Sequence, residues 1–272
     1  MTTANAQQWS VWAGSGGDFW AAHAARFDAG VAGYLPEFRA NAAVRPGERV
    51  LDIGCGAGTT TLDAAAAAGP DGAAHGVDMS EALLSIARSR PTGPGRASFA
   101  VADAQTDDLG AGTADVVISR NGVMFFDDPA AAFANLHRAL RPGGRIALQV
   151  WQSLAEQEWL TVVHRALELP DPPADGPSPV SFGDPDRCRA LLSGAGFTDV
   201  RITGARSPMW FGTDVDDATA FHLDRVAAAL ARRPEPARRA AQDALRRVLA
   251  GHAGPDGVAL GSAAWFVRAV RG

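Results

Sequence analysis

The amino-acid sequence predicts an α/β fold, a mostly parallel sheet with helices on both faces. Three observations carry that expectation. Short apolar runs alternate with helix-like segments between residues 49 and 151. The first run, Arg49-Val50-Leu51-Asp52-Ile53, feeds straight into three alternating glycines ahead of a helix. Two later runs lead into acids, Asp78 and Asp103.

Taken in order, residues 5 to 41 place Trp9, Trp12, Phe19, Trp20, Phe27 and Tyr34 at helix-compatible intervals broken at Gly14, Gly16 and Gly17, which predicts two N-terminal helices. After the Arg45-Pro46-Gly47-Glu48 turn come strands over 49–53, 74–77, 97–101, 115–118 and 145–151. Helices over 59–68, 81–90 and 130–140 separate them, the second capped by Ser80. The Pro- and Asp-rich stretch 169–185 reads as a long loop over the surface or over a site, and could be a lid. A helix over 186–195, a strand over 199–211, a helical insert at about 213–252 interrupted near Pro234, and a last strand over 258–270 complete seven strands. A single domain spanning 1–272 is expected: an N-terminal helical cap (1–44), a cofactor-binding half (45–151) and a substrate half (152–272).

Composition removes several classes of function. The chain has 272 residues, 47% of them hydrophobic, and lacks the roughly 20-residue apolar run of a membrane-spanning helix. Its first residues carry neither the basic start nor the apolar core of a secretion signal, so a soluble, cytoplasmic protein is expected. Cys55 and Cys188 stand alone, without metal-ligand spacing, and are expected to be reduced and metal-free. The net charge is −5 and every basic residue is Arg; nucleic acid, whose binders present basic surfaces, is not expected as a partner. The arginine pairs at 232–233, 238–239 and 246–247 read as a solvated helix face.

The most specific motif is Val50 to Gly58, in which Gly54, Gly56 and Gly58 end a strand and open a helix. Glycine permits positive φ and close approach of a ligand to the backbone, and ligands of open α/β sheets lie beyond the C-terminal ends of the strands. A dinucleotide loop needs glycine where Thr59 stands, and a P-loop needs a lysine this chain lacks. Asp78, twenty positions after Gly58, stands where a carboxylate can accept from both hydroxyls of a ribose. Asp103 could accept from an adenine amino group, since an ionised Asp offers only acceptors. Together these sites fit an adenosine ligand without phosphate.

With VLDIGCGAG, GVDMS, VADAQ and LRPGGRIALQVW in this order, the segment from Val50 to Trp151 resembles the class I S-adenosylmethionine-dependent methyltransferases, in the branch typified by ubiquinone and menaquinone biosynthesis. The resemblance implies a Rossmann-like sheet whose last strand runs antiparallel. It implies that the Gly54–Gly58 loop, Cys55 included, binds the methionine portion of S-adenosylmethionine, that Asp78 holds the ribose, that Met79 packs on the adenine, and that Asp103 and Ala104 hold the adenine edge. Ser119 and Arg120 would line the methyl-donor side, and Asp52 would order the loop through its backbone amides. Asn121 stands where relatives often carry an aromatic residue. The product would be S-adenosylhomocysteine and the acceptor a small molecule methylated on O, N or C, by a monomer or homodimer.

Methyl transfer to a positioned acceptor needs little beyond orientation and deprotonation. If a base exists, His23 on the cap and His222 in the insert are the candidates taken forward; His164 is also available, and His137 is set aside as lying on a solvated face. Cys55 reads as a small loop residue. Phe125, Phe126, Trp151, Trp159 and Trp210 form either an aromatic acceptor pocket or ordinary core, with core the reading for Phe125 and Phe126. A non-methylating member of the same fold, an NAD-dependent oxidoreductase and a nucleic-acid methyltransferase are the rival readings. The first two are kept as alternatives, the second argued against by Thr59.

Overall fold

A computed structural model describes residues 5–272; Met1 to Ala4, part of the expected cap and of the segment read for a leader, lie outside the described residues. The cap is built from α1 (Ala6–Trp12), α2 (Ser15–Ala22), α3 (Ala24–Gly30) and, after a short 3-10 turn, α4 (Leu35–Ala42). Two helices were expected here and four are present. The breaks fall at Ala13-Gly14, at His23 and at Val31, and two cap glycines sit at close approaches that only glycine permits: a Cβ on Gly17, inside α2, would lie 2.0 Å from the Trp12 carbonyl oxygen, and one on Gly30, ending α3, 2.7 Å from that of Trp210.

The sheet region begins with β1 (Arg49–Ile53), α5 (Thr59–Ala68), β2 (Ala73–Asp78), α6 (Glu81–Ser89), β3 (Ala97–Val101), β4 (Ala114–Arg120), α7 (Pro129–Ala139) and β5 (Leu140–Trp151). Ser80 caps α6 by accepting from the Leu83 amide, and Asp128 caps α7 by accepting from that of Ala131, with Pro129 in the first turn. Beyond β5 follow α8 (Glu158–Ala166), α9 (Pro185–Gly194), β6 (Phe197–Gly212), α10 (Val215–Arg225), α11 (Ala227–Leu230), α12 (Glu235–Ala250), β7 (Ala253–Gly254) and β8 (Gly257–Arg271). The expected long loop between α8 and α9 is present. It is pinned rather than loose: the Ser178 amide and the Ser181 hydroxyl both donate to the Met124 carbonyl.

Strand order is β3-β2-β1-β4-β5-β8-β6, with β7 paired to β8. The seven expected strands form this path, and the two-residue β7 makes an eighth by folding back on the start of β8. Strands β1 to β5 pair parallel, and β8 slots between β5 and β6 antiparallel to both. Central strands covered on both faces read as continuous apolar runs; Ile146 to Leu148 and Val150 are all fully buried. The order reverses between β1 and β4, whose C-terminal ends carry the glycine loop and the Arg120-Asn121-Gly122 turn, so the crevice at this switch point is where a ligand enters. Among the described residues, no helix is long and apolar enough to cross a membrane.

Arg145 fastens the cap to the base of the sheet. It donates to the carbonyls of Ala42 and Ala43 at the end of α4 and pairs through both terminal nitrogens with Glu48 at 2.7 and 2.8 Å, its side chain only 9% exposed. Removing one partner of a buried ion pair strands the other charge. Arg145→Met is therefore expected to lower unfolding free energy by about 3–5 kcal/mol, read as a fall in the urea midpoint at unchanged slope.

Candidate functional site

One large cavity opens at the switch point, with empty space of about 1400 Å³ including its open mouth. The glycine loop forms the floor at one end. Gly54, Gly56 and Gly58 all have positive φ (63°, 53° and 83°), but for different reasons. A Cβ on Gly56 would meet nothing within 4 Å, which leaves the backbone open to the cavity. A Cβ on Gly54 would press on Gly122 at 2.9 Å, and one on Gly58 would collide with Ala87 and Phe99. Gly58 is thus a packing glycine at the start of α5 and does not line the cavity.

Four of the loop's amides are already bonded: those of Gly54 and Cys55 to the Val77 carbonyl, that of Gly58 to Cys55, and that of Gly56 to Asp78 Oδ2 at 2.8 Å. A phosphate cradle requires such amides free and convergent, so the loop is shaped for a ligand that packs on the backbone. Asp78 accepts from the Gly56 and Ser80 amides, one on each oxygen. An ionised carboxylate has about four acceptor sites, which leaves capacity toward the cavity it lines, beside Met79. Burial pushes its carboxyl above the usual range, opposed by those amide bonds. Asp103 also lines the cavity; it accepts from the Asn5 side chain, the Gln105 amide and the Thr106 hydroxyl. About one of its acceptor sites stays open, next to Ala104.

Cys55 lines the floor, and burial pushes its thiol well above the ordinary range, which keeps it protonated and un-nucleophilic. Cys55 and Cys188 are both free and buried. Among the described residues no cluster could hold a metal ion.

Two expected roles are corrected. Asp52 does not bind the loop's backbone amides: fully buried, it accepts from the hydroxyls of Thr60 and Thr61 at 2.7 and 2.6 Å, tying β1 to the first turn of α5. Ser119 does not face the cavity; its hydroxyl donates to the Ile53 carbonyl at 2.7 Å and clasps β4 to β1. In both cases side-chain direction on alternate faces of a strand decides the partner.

Arg120 does line the cavity, with its side chain 7% exposed, and it is held by Asp28 at 2.8 Å while its Nη1 is buried without a partner. Asp28, on α3, also accepts from Thr59 at 2.6 Å and from Arg90 at 2.9 Å, and these donors hold its carboxyl below the usual range against burial. Nothing local in the sequence announces Arg90 or Thr59 as partners of Asp28.

Neither candidate base reaches the cavity wall. His23 Nε2 lies 2.9 Å from Asp224 Oδ2, which joins the α2–α3 junction to α10. His222 is fully buried behind the wall against Phe211, with both ring nitrogens unpartnered, and burial beside Arg225, Arg26 and His164 pushes its pKa well below the ordinary value. The acceptor end is aromatic: Trp151, Trp159, Phe211 and Phe221 line it. Phe125 and Phe126, read as core, also face the cavity, whereas Trp210 points away and donates to the Asp256 carbonyl. The paired arginines of α12 are exposed, with Arg238 and Arg239 bonded to Glu235 and Arg246 to Asp216.

This strand order and switch-point crevice define the class I methyltransferase fold, and the comparisons agree. Residues 50–144 match the family model described as a methyltransferase domain. The chain is 40% identical over 103 residues to the aklanonic acid methyltransferase DauC of Streptomyces sp. strain C5, which covers 37% of this chain and 47% of that one. It is 35% identical over 120 residues to the ubiquinone/menaquinone biosynthesis C-methyltransferase UbiE of Burkholderia cenocepacia, covering 42% and 49%. In three dimensions it resembles phosphoethanolamine N-methyltransferase 2 of Haemonchus contortus, with a TM-score of 0.54 at 20% identity over 88% of this chain and 52% of that one. The matches span less than half the length of these curated relatives. Over residues 50–144 the chain is similar in sequence to methyltransferase domains, and its relatives above are named as methyltransferases.

Burial raises the Asp52 carboxyl from 3.8 to about 6. The folded protein therefore keeps this proton up to about pH 6, whereas the unfolded chain releases it near 3.8, and folding stability attributable to Asp52 falls as pH rises between those values, by about 3 kcal/mol. Asp52→Asn cannot titrate. The stability of the variant relative to wild type is expected to rise by about that amount from pH 4 to pH 7, measured by urea titration at each pH; a difference that stays constant with pH would refute the assignment.

Proposed function

We propose that this chain transfers a methyl group from S-adenosylmethionine to O, N or C of a small, largely apolar metabolite, in the cytoplasm, with the cap, the cofactor half and the substrate half acting as one unit. The observation that carries this reading is the meeting of the open glycine loop, Asp78 and Asp103 on one cavity wall. The relatives' names, an aklanonic acid methyltransferase and a ubiquinone/menaquinone biosynthesis C-methyltransferase, support a small-molecule acceptor. The net negative charge gives no support to nucleic acid.

The residues present fit the cofactor. Asp78 has acceptor capacity for a ribose diol, Met79 packs beside it, and Asp103 with Ala104 bounds the end where an adenine edge would lie. Arg120 Nη1, buried and without a protein partner, is the donor for the carboxylate of the methionine portion. S-adenosylmethionine supplies a methyl group made electrophilic by its sulfonium sulfur. The protein's part is to hold donor and acceptor in line and to exclude water. The aromatic walls and the pinned loop carrying Pro179 do this, and Asp28 keeps the cap closed over the donor.

Calorimetry with S-adenosylmethionine, S-adenosylhomocysteine and NAD tests the reading. Both adenosyl ligands are expected to bind and NAD is not. Asp78→Ala should weaken adenosyl binding by about 1–3 kcal/mol, the cost of leaving buried hydroxyls unpaired. Binding of NAD in preference, or an Asp78→Ala variant that binds as wild type does, would overturn it.

A further inference from the structure

The substrate half contributes one charged group to the cavity wall. Arg225, in the last turn of α10, lines the cavity with its guanidinium 5.5 Å from the Trp159 ring centroid. Its Nε and Nη2 are buried, and it makes no ion pair or hydrogen bond among the described residues. The other arginines of the interior are neutralised: Arg26 by Asp217, Arg120 by Asp28 and Arg145 by Glu48. A buried charge is kept unpaired only at a cost, and stacking on an indole face offsets a small part of it. Burial pushes even this guanidinium down to about 10, and it still carries its charge at neutral pH.

A second unpaired group lines the same cavity. Asn121, directly after Arg120 at the end of β4, is held at φ 59° with its amide against the cavity, and its side-chain oxygen and nitrogen are both buried without partners. The wall also lacks a free base. Asp28 is committed to two arginines, Asp78 and Asp103 belong to the cofactor end, Cys55 is held protonated, and His23 and His222 lie off the wall.

We propose that the methyl acceptor is an organic oxyanion, a flat apolar molecule bearing an ionised carboxyl or a comparably acidic enol. Its charge lies against Arg225, and an adjacent polar atom is bonded to the Asn121 amide. This rests on the methyl-transfer reading above. An acceptor that arrives ionised needs no base: a lone pair of the oxyanion forms the new carbon–oxygen bond, the sulfur–carbon bond breaks with its electron pair going to sulfur, anion and sulfonium are both neutralised, and no proton is released. Trp151, Trp159, Phe211 and Phe221 would cover the apolar body.

The test uses protein saturated with S-adenosylhomocysteine, whose binding is measured first, so that a failure of the cofactor reading shows before any acceptor is added. Two probe pairs are titrated by tryptophan fluorescence: anthraquinone-2-carboxylate against its carboxamide, and 2-hydroxy-1,4-naphthoquinone against its 2-methoxy ether. At least a ten-fold preference for the anion in one pair is expected; the pair that shows it identifies the oxyanion as carboxylate or enolate. Arg225→Gln should erase the preference and Arg225→Lys should keep part of it. With the adenosyl ligand bound, no preference in either pair, or a preference that survives Arg225→Gln, overturns the proposal. Ligand-free Arg225→Met is expected to melt no lower than wild type; a fall of several degrees would make the guanidinium a structural strut and overturn the proposal as well.

Discussion

One carboxylate sets the cap over the mouth of the cavity. Asp28 reaches from α3 to Arg120 at the tip of β4, to Arg90 just beyond α6 and to Thr59 at the start of α5. Three donors from three elements converge on one side chain that is only partly exposed. A single exposed ion pair contributes little, but a shared acceptor orders several side chains at once and fixes where α3 lies. Trp20, Ala24 and Phe27 then form a roof opposite the glycine loop. Without that roof the loop would be an open ledge at the sheet edge.

The two ends of the space are built from different chemistry. At the cofactor end, backbone conformation and carboxylates at strand tips do the recognising, and strand registry places them: β1, β2 and β4 pair in parallel, so their C-terminal ends arrive together. At the acceptor end the walls are aromatic side chains from β5, α8, β6 and α10. The antiparallel insertion of β8 matters here, because it carries β6 outward and allows α10 to fold back over the crevice.

Much of the first end was legible in the sequence, because strand, glycine spacing and a downstream acid are local signals read against a period. Gly56, Asp78, Met79, Asp103 and Ala104 all reach the cavity. Less legible was what a side chain does once tertiary neighbours choose its partner. Asp52 bonds two threonine hydroxyls, Ser119 a carbonyl on the adjacent strand, and Gly58 yields to Ala87 and Phe99. The cap's four helices rather than two, and the burial of His222 off the wall, depend on packing between segments some 200 residues apart, which no window of sequence contains. Arg225 had no motif at all: on sequence it is one arginine among many in a helical insert.

Unpartnered buried polar atoms sort the remaining features. Among the described residues they occur on Asn5, Asp52, Arg120, Asn121, Gln149, His222 and Arg225. Only Arg120, Asn121 and Arg225 also line the cavity, and only there can a ligand supply what the protein withholds. Arg120 lies among the cofactor residues and Arg225 among the aromatic ones, so the cavity carries one cation toward each end and a neutral amide at Asn121. A donor with a carboxylate and an acceptor with a negative charge would satisfy both cations. An uncharged acceptor would leave Arg225 desolvated in the bound state, so binding it would keep the full cost of the buried charge and return nothing.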